Sequence, residues 1–176
     1  MNNEDSNAGA NCVERNLVRR AQPIVDALRA RHLSVVTAES CTAGLVAAIL
    51  SHAQHAGECF HGGFIAYSKN NKSATLGVDR ALLETKGSVN AEVARQMACG
   101  ALARAPASVA IAVTGVLGPD PDEDGNPAGL VYFAACRSGN EPVVLKHLYD
   151  GLDPDAVRRC TVQRALELLL EVAVDG

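Results

Sequence analysis

The stretch Ser108-Val109-Ala110-Ile111-Ala112-Val113-Thr114 has no polar residue between its two ends. A strand with one face in water alternates apolar and polar side chains, whereas a run that is apolar at every position suits a strand covered on both faces. Helices must therefore lie above and below the sheet that contains it, and the rest of the chain supplies them. Leu33-Ser34-Val35-Val36-Thr37-Ala38 is a second β-branched run, and residues 42–49 after it are small, apolar and helix-permissive, which reads as strand, tight turn and helix. Residues 60–67 read as another strand, in which Gly62-Gly63 marks a bulge or a close backbone approach. Residues 130–136 and 143–149 make a hairpin pair around Ser138-Gly139-Asn140. The spacing of Leu17, Ala21, Ile24, Val25 and Leu28 predicts a helix over 13–31, with Pro23 either in the first turn of a helix or kinking a longer one. Short helices are expected at 70–76 and 80–85, a longer one at 91–104 capped by Asn90, and an amphipathic one from 154 to about 174. Helices alternating with strands, plus one hairpin, define a three-layer α/β domain on a mixed sheet.

A chain of 176 residues is the size of one domain. Residues 1–11, drawn largely from Asn, Asp, Ser and Gly, are expected to be a disordered leader, with 12–176 the single domain. Hydrophobic residues make up 48% and charged residues 20%, globular usage that excludes a disordered or collagen-like chain. No apolar run reaches the roughly 18 residues of a spanning helix, and the start is polar, so no membrane partner is expected and the chain reads as cytoplasmic. Sixteen basic against 20 acidic residues give a net charge of −4 without an extended Lys/Arg cluster, which disfavours nucleic acid as a partner. With no Trp, three Tyr and three Phe, there is little from which to build a base-stacking platform or an aromatic carbohydrate cleft. Small ligands held by backbone and small polar groups remain. The six cysteines, Cys12, Cys41, Cys59, Cys99, Cys136 and Cys160, form no C-x-x-C pair, which argues against a zinc ribbon or redox dithiol. Several lie in apolar segments, and reduced, buried thiols are expected.

Three segments carry residues able to do chemistry. Thr37-Ala38-Glu39-Ser40-Cys41-Thr42-Ala43-Gly44 falls where a buried strand turns into a helix, so backbone N–H groups converge there to bind a phosphate or stabilise an oxyanion. Ser40, Cys41 and Thr42 are consecutive candidate nucleophiles or anion donors. The plainer reading is that one of them caps the helix and that Cys41 is a small buried side chain. In Tyr67-Ser68-Lys69-Asn70-Asn71-Lys72, at a strand's end, a lysine can serve as base toward a serine once burial lowers its pKa, or as a point charge for a phosphate. Solvated lysines in a polar turn are the alternative. Thr114-Gly115-Val116-Leu117-Gly118-Pro119 also closes a strand, where open α/β sheets form ligand crevices, although glycines make ordinary turns too.

Taken together and in order, T-A-E-S-C-T-x-G, G-G-x-x-A-Y-S-x-x-x-K-x-x-x-L-G-V, G-x-V-x-x-E-V-A-x-x-M-A-x-G and T-G-x-x-G-P, with P-x-G-x-V beyond, resemble the CinA C-terminal domain family over residues 17–174. The resemblance implies a three-layer α/β/α sandwich with a mixed, mostly parallel five-stranded sheet, in a homo-oligomer that needs no metal or organic cofactor. It also implies hydrolysis of the carboxamide of a small-molecule pyridine nucleotide, nicotinamide mononucleotide, to nicotinate mononucleotide and ammonia. Carried over by position, it makes Ser40 the nucleophile, Lys72 the base and Tyr67 a proton relay or orienting hydroxyl. Amides near Cys41 and Thr42, together with Thr114, are the implied oxyanion and phosphate donors, with Gly44 and Gly115 in the same substrate-binding turns. Glu39 anchors the turn or the ribose, and Arg158 contacts the phosphate, directly or from a neighbouring subunit.

The chain departs from that pattern at Ala43, at Asn90 and above all after Gly118-Pro119, where the acidic run Asp120-Pro121-Asp122-Glu123-Asp124-Gly125-Asn126 replaces a glycine-rich one. Four carboxylates facing a phosphate site would repel it; facing water, they would not. A non-catalytic nucleotide-binding or regulatory paralogue is therefore the rival to catalysis, and a peptide-interaction module using the edge of 143–149 is a third reading. Asp120-x-Asp122-x-Asp124-Gly125 starts like a calcium loop, but its twelfth position is Val131 and strands flank it. His52, His55, Cys59 and His61 are zinc-binding residue types at a spacing that fits no zinc module.

Overall fold

The computed structural model describes residues 4–175, and side-chain surroundings for residues 15–174. Strands β1 (Val35–Glu39), β2 (Phe60–Ile65), β3 (Val109–Gly115), β4 (Leu130–Arg137) and β5 (Val143–Leu148) form one sheet in the order β2-β1-β3-β4-β5. β1 pairs in parallel with β2 and β3, while β3–β4 and β4–β5 are antiparallel, so β4 alone opposes the direction shared by the other four. The helices are α1 (Glu4–Ala30), α2 (Leu45–Ser51), α3 (Lys69–Leu76), α4 (Arg80–Lys86), α5 (Ala91–Arg104) and α6 (Pro154–Asp175), with a 3-10 turn at Ala56–Glu58.

β3 is buried on both faces, as its uninterrupted apolar run requires. Val109, Ile111 and Val113 pack with α1, α2 and α6 on one side, while Ala110 and Ala112 pack with α3, α4 and α5 on the other. The second face is lined by small residues on both partners: Ala110, Ala112 and Ala134 from the sheet meet Ala94, Ala98 and Ala101 from α5. Small against small lets α5 lie close to the strands, while branched and aromatic side chains fill the opposite layer. The expected three-layer sandwich on a mixed sheet is the architecture found.

Local signals map onto the structure with some shifts. Asn90 accepts the Val93 amide at 2.9 Å through Oδ1 and caps α5. The register of β1 against β2 jumps from Val35↔Phe60 to Val36↔Gly62, a bulge at His61, and a Cβ at Gly63 would fall on Thr37 Oγ1. Pro23 lies inside α1. That helix begins at Glu4, within the stretch expected to be a disordered leader. Extending a helix from its amphipathic segment costs far less than nucleating one, so weak helix formers can be carried along. Residues 1–3 of the expected leader lie outside the described residues. α2 starts at Leu45 rather than Thr42, because Ala43 and Gly44 adopt positive φ values of 52° and 95° that an α-helix excludes. Cys41, Cys59, Cys99, Cys136 and Cys160 are free thiols, with the sulfurs of Cys99 and Cys136 2.9 Å apart; the Cys12 side chain lies outside those described. No helix among the described residues is long and apolar enough to cross a membrane.

Candidate active site

The turn after β1 is organised around one carboxylate. Glu39 is 1% exposed, and its Oε2 accepts from Thr42 Oγ1 at 2.7 Å and from the amides of Gly44 and Val46 at 3.0 Å each. Its Oε1 accepts from Thr37 Oγ1 at 3.1 Å and from the Ala47 amide at 2.8 Å. A carboxylate at the start of a helix satisfies amides that otherwise lack partners, and its charge suits the positive end of the helix dipole. Of its two sequence-level roles, Glu39 therefore anchors the turn. Both oxygens are spent and it does not line the cleft described below, so a ribose contact is not supported. The Gly44 amide and the Thr42 hydroxyl are consumed in the same way.

The turn's remaining donors are more available. The Ser40 amide donates to Val113 O at 3.0 Å, and the Ala43 amide to Ser40 O at 3.1 Å. Among the described residues, the amides of Cys41 and Thr42 donate to no oxygen of the protein. They sit beside the Ser40 hydroxyl, as donors to an oxyanion formed on that hydroxyl's target must.

Lys72, on α3, is 1% exposed, and its Nζ lies 2.8 Å from Ser40 Oγ and donates to the Tyr67 carbonyl at 2.9 Å. Ser68 caps α3 by accepting the Asn71 amide, which sets the helix so that Lys72 points back across the sheet end toward β1. Burial pushes the Lys72 pKa down from 10.5 to about 8, Cys41 opposes that shift, and the like charge of Lys69 adds to it. An amine with a pKa lowered toward neutrality, in contact with a hydroxyl, can accept that hydroxyl's proton. Burial drives the Cys41 thiol the other way, up to about 12, so Cys41 is a neutral packing side chain rather than a nucleophile.

Ser40 and Lys72 open onto a cleft of about 910 Å³ at the carboxyl ends of the parallel strands. Cys41, Tyr67, Gly115 and Arg158 also line it, so six of the predicted site residues share one cavity. Arg158, from the first turns of α6, pairs with Asp155 at 3.1 Å and keeps a 42% exposed side chain. Tyr67 touches Lys72 through its carbonyl and as a residue is 72% exposed. Thr114 is fully buried, and its hydroxyl donates to Ser88 O at 2.8 Å, so that it braces the 87–89 segment. The acidic run forms another wall: Asp122 and Glu123 line the cleft, and Asp124 pairs with Lys69 at 2.6 Å. Sequence reasoning gave no role to Ser88, Val89 or Glu84, all of which line the cleft. The G-x-V motif at 87–89 was the available signal.

His52 and His55, near the β2 bulge, have other partners. His52 Nδ1 contacts Ala48 O at 2.7 Å, His55 pairs with Glu58 at 2.9 Å, and Cys59 is buried in the core. Among the described residues no group of three His, Cys, Asp or Glu is placed to hold a metal ion.

A sandwich that gathers an amine and a hydroxyl at its strand ends, inside one cleft, is an α/β domain built around a small-ligand site. The chain matches the CinA C-terminal domain over residues 18–173 and belongs to that family. It is 36% identical to the nicotinamide-nucleotide amidohydrolase PncC of Escherichia coli (strain K12) over 153 residues, 87% of this chain and 92% of that one. It is 41% identical to a CinA-like protein of Geobacter sulfurreducens over 142 residues, 80% of this chain and 34% of that longer relative. The fold superposes with a TM-score of 0.85 on the crystal structure of competence/damage inducible protein CihA from Agrobacterium tumefaciens, at 34% identity, covering 91% of this chain and 96% of that one.

Proposed function

We propose that this protein hydrolyses the carboxamide of nicotinamide mononucleotide, giving nicotinate mononucleotide and ammonia, with Ser40 as nucleophile and Lys72 as base. The observation that carries the reading is the 2.8 Å contact between Ser40 Oγ and a buried amine whose pKa burial lowers to about 8. The name of the E. coli relative supplies the substrate.

In this mechanism neutral Lys72 takes the Ser40 proton as Oγ attacks the amide carbon. The oxyanion forms toward the amides of Cys41 and Thr42, which hold it without reorganising. The Lys72 ammonium returns its proton to the amide nitrogen, the C–N bond breaks, ammonia leaves and an acyl-serine remains. Water then attacks the ester, giving a proton to Lys72, and as the second tetrahedral species collapses the Lys72 ammonium returns that proton to the departing Ser40 Oγ, while the carboxylic acid released ionises to the carboxylate. Arg158 offers a guanidinium to the substrate phosphate across the cleft. The reading carries with it a cytoplasmic setting and assembly into a homo-oligomer. The charge argument against catalysis weakens once the acidic run is seen in place, because Lys69 matches Asp124 and the Asp122 carboxylate is spent inside its own loop.

Ammonia release from nicotinamide mononucleotide by wild-type protein beside Ser40→Ala is the test. Turnover by the wild type and a loss of at least about a thousandfold in a folded variant is expected. Equal rates would remove Ser40 from the mechanism, and silence in both would remove the substrate.

A further inference from the structure

The acidic run after Pro119 is the part of the cleft that this reaction leaves unexplained, and its carboxylates are not equivalent. Asp122 closes its own loop, accepting the amides of Asp124 at 3.0 Å and Asn126 at 2.8 Å on Oδ1 and the Asn126 side chain at 2.9 Å on Oδ2. Glu123 is 77% exposed and reaches Lys69 at 3.2 Å. Asp124 is fixed from two sides: Oδ1 accepts from Lys69 Nζ at 2.6 Å and Oδ2 from the Ser88 amide at 3.3 Å. A Cβ at Gly87 would fall on the Asp124 carboxylate, so this approach requires glycine there. Ser88 in turn holds Thr114 through its carbonyl. One side chain thus ties the acidic loop to α3, to the 87–89 segment and, through Ser88, to the end of β3. Its partner Lys69 lies three residues before Lys72, about one helical turn away on α3.

We propose that Asp124 is a positioning residue for the Ser40–Lys72 pair, its carboxylate holding the acidic loop as a wall of the cleft while neutralising the Lys69 cation. The proposal rests on the amidohydrolase reading. Several groups face Lys72 or its cleft: Ser40 and Cys41 from the turn after β1, the Tyr67 carbonyl, Lys69 from α3, Glu84 from α4, Asp122 and Glu123 from the loop, and Arg158 from α6. Lys69 lowers the proton affinity of Lys72, and Asp124, followed by Glu123, stabilises Lys69 in its charged form. A carboxylate seated on Lys69 offsets part of that cation's field at Lys72. Removing the carboxylate exposes the field, and removing the cation abolishes it.

Asp124→Asn keeps the shape and an acceptor for Ser88 but loses the charge, whereas Lys69→Gln removes the opposing charge. Competitive acetylation with acetic anhydride from about pH 6 to 11, read at Lys72 by peptide mass spectrometry, follows its titration without turnover. The expected midpoint falls in Asp124→Asn, rises in Lys69→Gln and returns toward wild type in the double variant. In ammonia release, the acid limb of kcat/KM moves in the same directions. Asp124→Asn also loses about tenfold in kcat/KM at its own optimum, mostly through KM, as a loosened wall predicts. An unchanged Lys72 midpoint in Asp124→Asn, or midpoints moving the same way in both single variants, would overturn the proposal. A wild type that releases no ammonia would instead defeat the reading of the reaction, while the acetylation midpoints still decide what Asp124 does to Lys72.

Discussion

An amine that is 1% exposed and surrounded by Ser40, Cys41 and the Tyr67 carbonyl has lost most of its hydration, and a lowered proton affinity follows from that loss. The same burial opposes folding. With a folded pKa of about 8 against 10.5 unfolded, the unfolded chain holds more protons between those values, so stability rises as pH climbs through that window. Below about pH 8 both states are protonated and the full penalty, about 3 kcal/mol, is present. Lys72→Met should therefore abolish ammonia release yet leave the protein at least as stable at pH 7, and urea unfolding should show the wild type gaining on the variant toward pH 10. For the reaction, ammonia release should rise as Lys72 loses its proton near pH 8 and level off above it. Glu39 carries the opposite balance, since it supports the fold without entering the cleft. Glu39→Ala would strand three amides and two hydroxyls and should cost about 3–5 kcal/mol in urea unfolding.

α5 shows how a short pattern can hide a crossing of elements. The motif M-A-x-G ends at Gly100, and a Cβ there would collide with the Leu76 carbonyl at the end of α3. α3 is therefore held against α5 by backbone contact, and Lys72 sits on the element so held. Alanine at an exposed helical position would gain about 1 kcal/mol over glycine by propensity. Gly100→Ala should instead lose about 1–3 kcal/mol, because backbone on backbone cannot yield as a flexible side chain does. Thermal unfolding gives the sign, and a weaker Lys72–Ser40 pair should show as reduced ammonia release in whatever protein remains folded. The elements themselves were legible where one physical signal ruled: the apolar run of β3, the Asn90 cap and the close approach at Gly63 each left a mark in the residues. The start of α2 was not, because Thr42, Ala43 and Gly44 are compatible with helix, and only the positive φ of the last two makes them a turn.

At the scale of the molecule, the cleft draws on the β1–α2 turn, α3, the 87–89 segment, the acidic loop and α6. Ser40 and Lys72 were found by resemblance, since 32 residues separate them and no local periodicity links them. Thr114 and Gly115 share a motif but not a setting. Successive side chains on a strand point to opposite faces, so Thr114 turns toward Ser88 while its neighbour Gly115 borders the cleft, a difference that a motif spanning both cannot express. A site assembled from so many segments should couple ligand binding to global stability. Ser40→Ala, which keeps the cleft and in the proposed mechanism lacks the nucleophile, should therefore be stabilised by nicotinamide mononucleotide. At a ligand concentration a hundred times its dissociation constant the gain is about 2.7 kcal/mol, or roughly 5–10 °C in Tm for a domain of this size. Arg158→Ala in that background should erase most of the shift if the guanidinium holds the phosphate, and nicotinamide riboside, which lacks the phosphate, should reproduce the reduced shift without the mutation. A full shift retained by Arg158→Ala would move the phosphate to the amides of Cys41 and Thr42, and would leave the oxyanion to be held elsewhere.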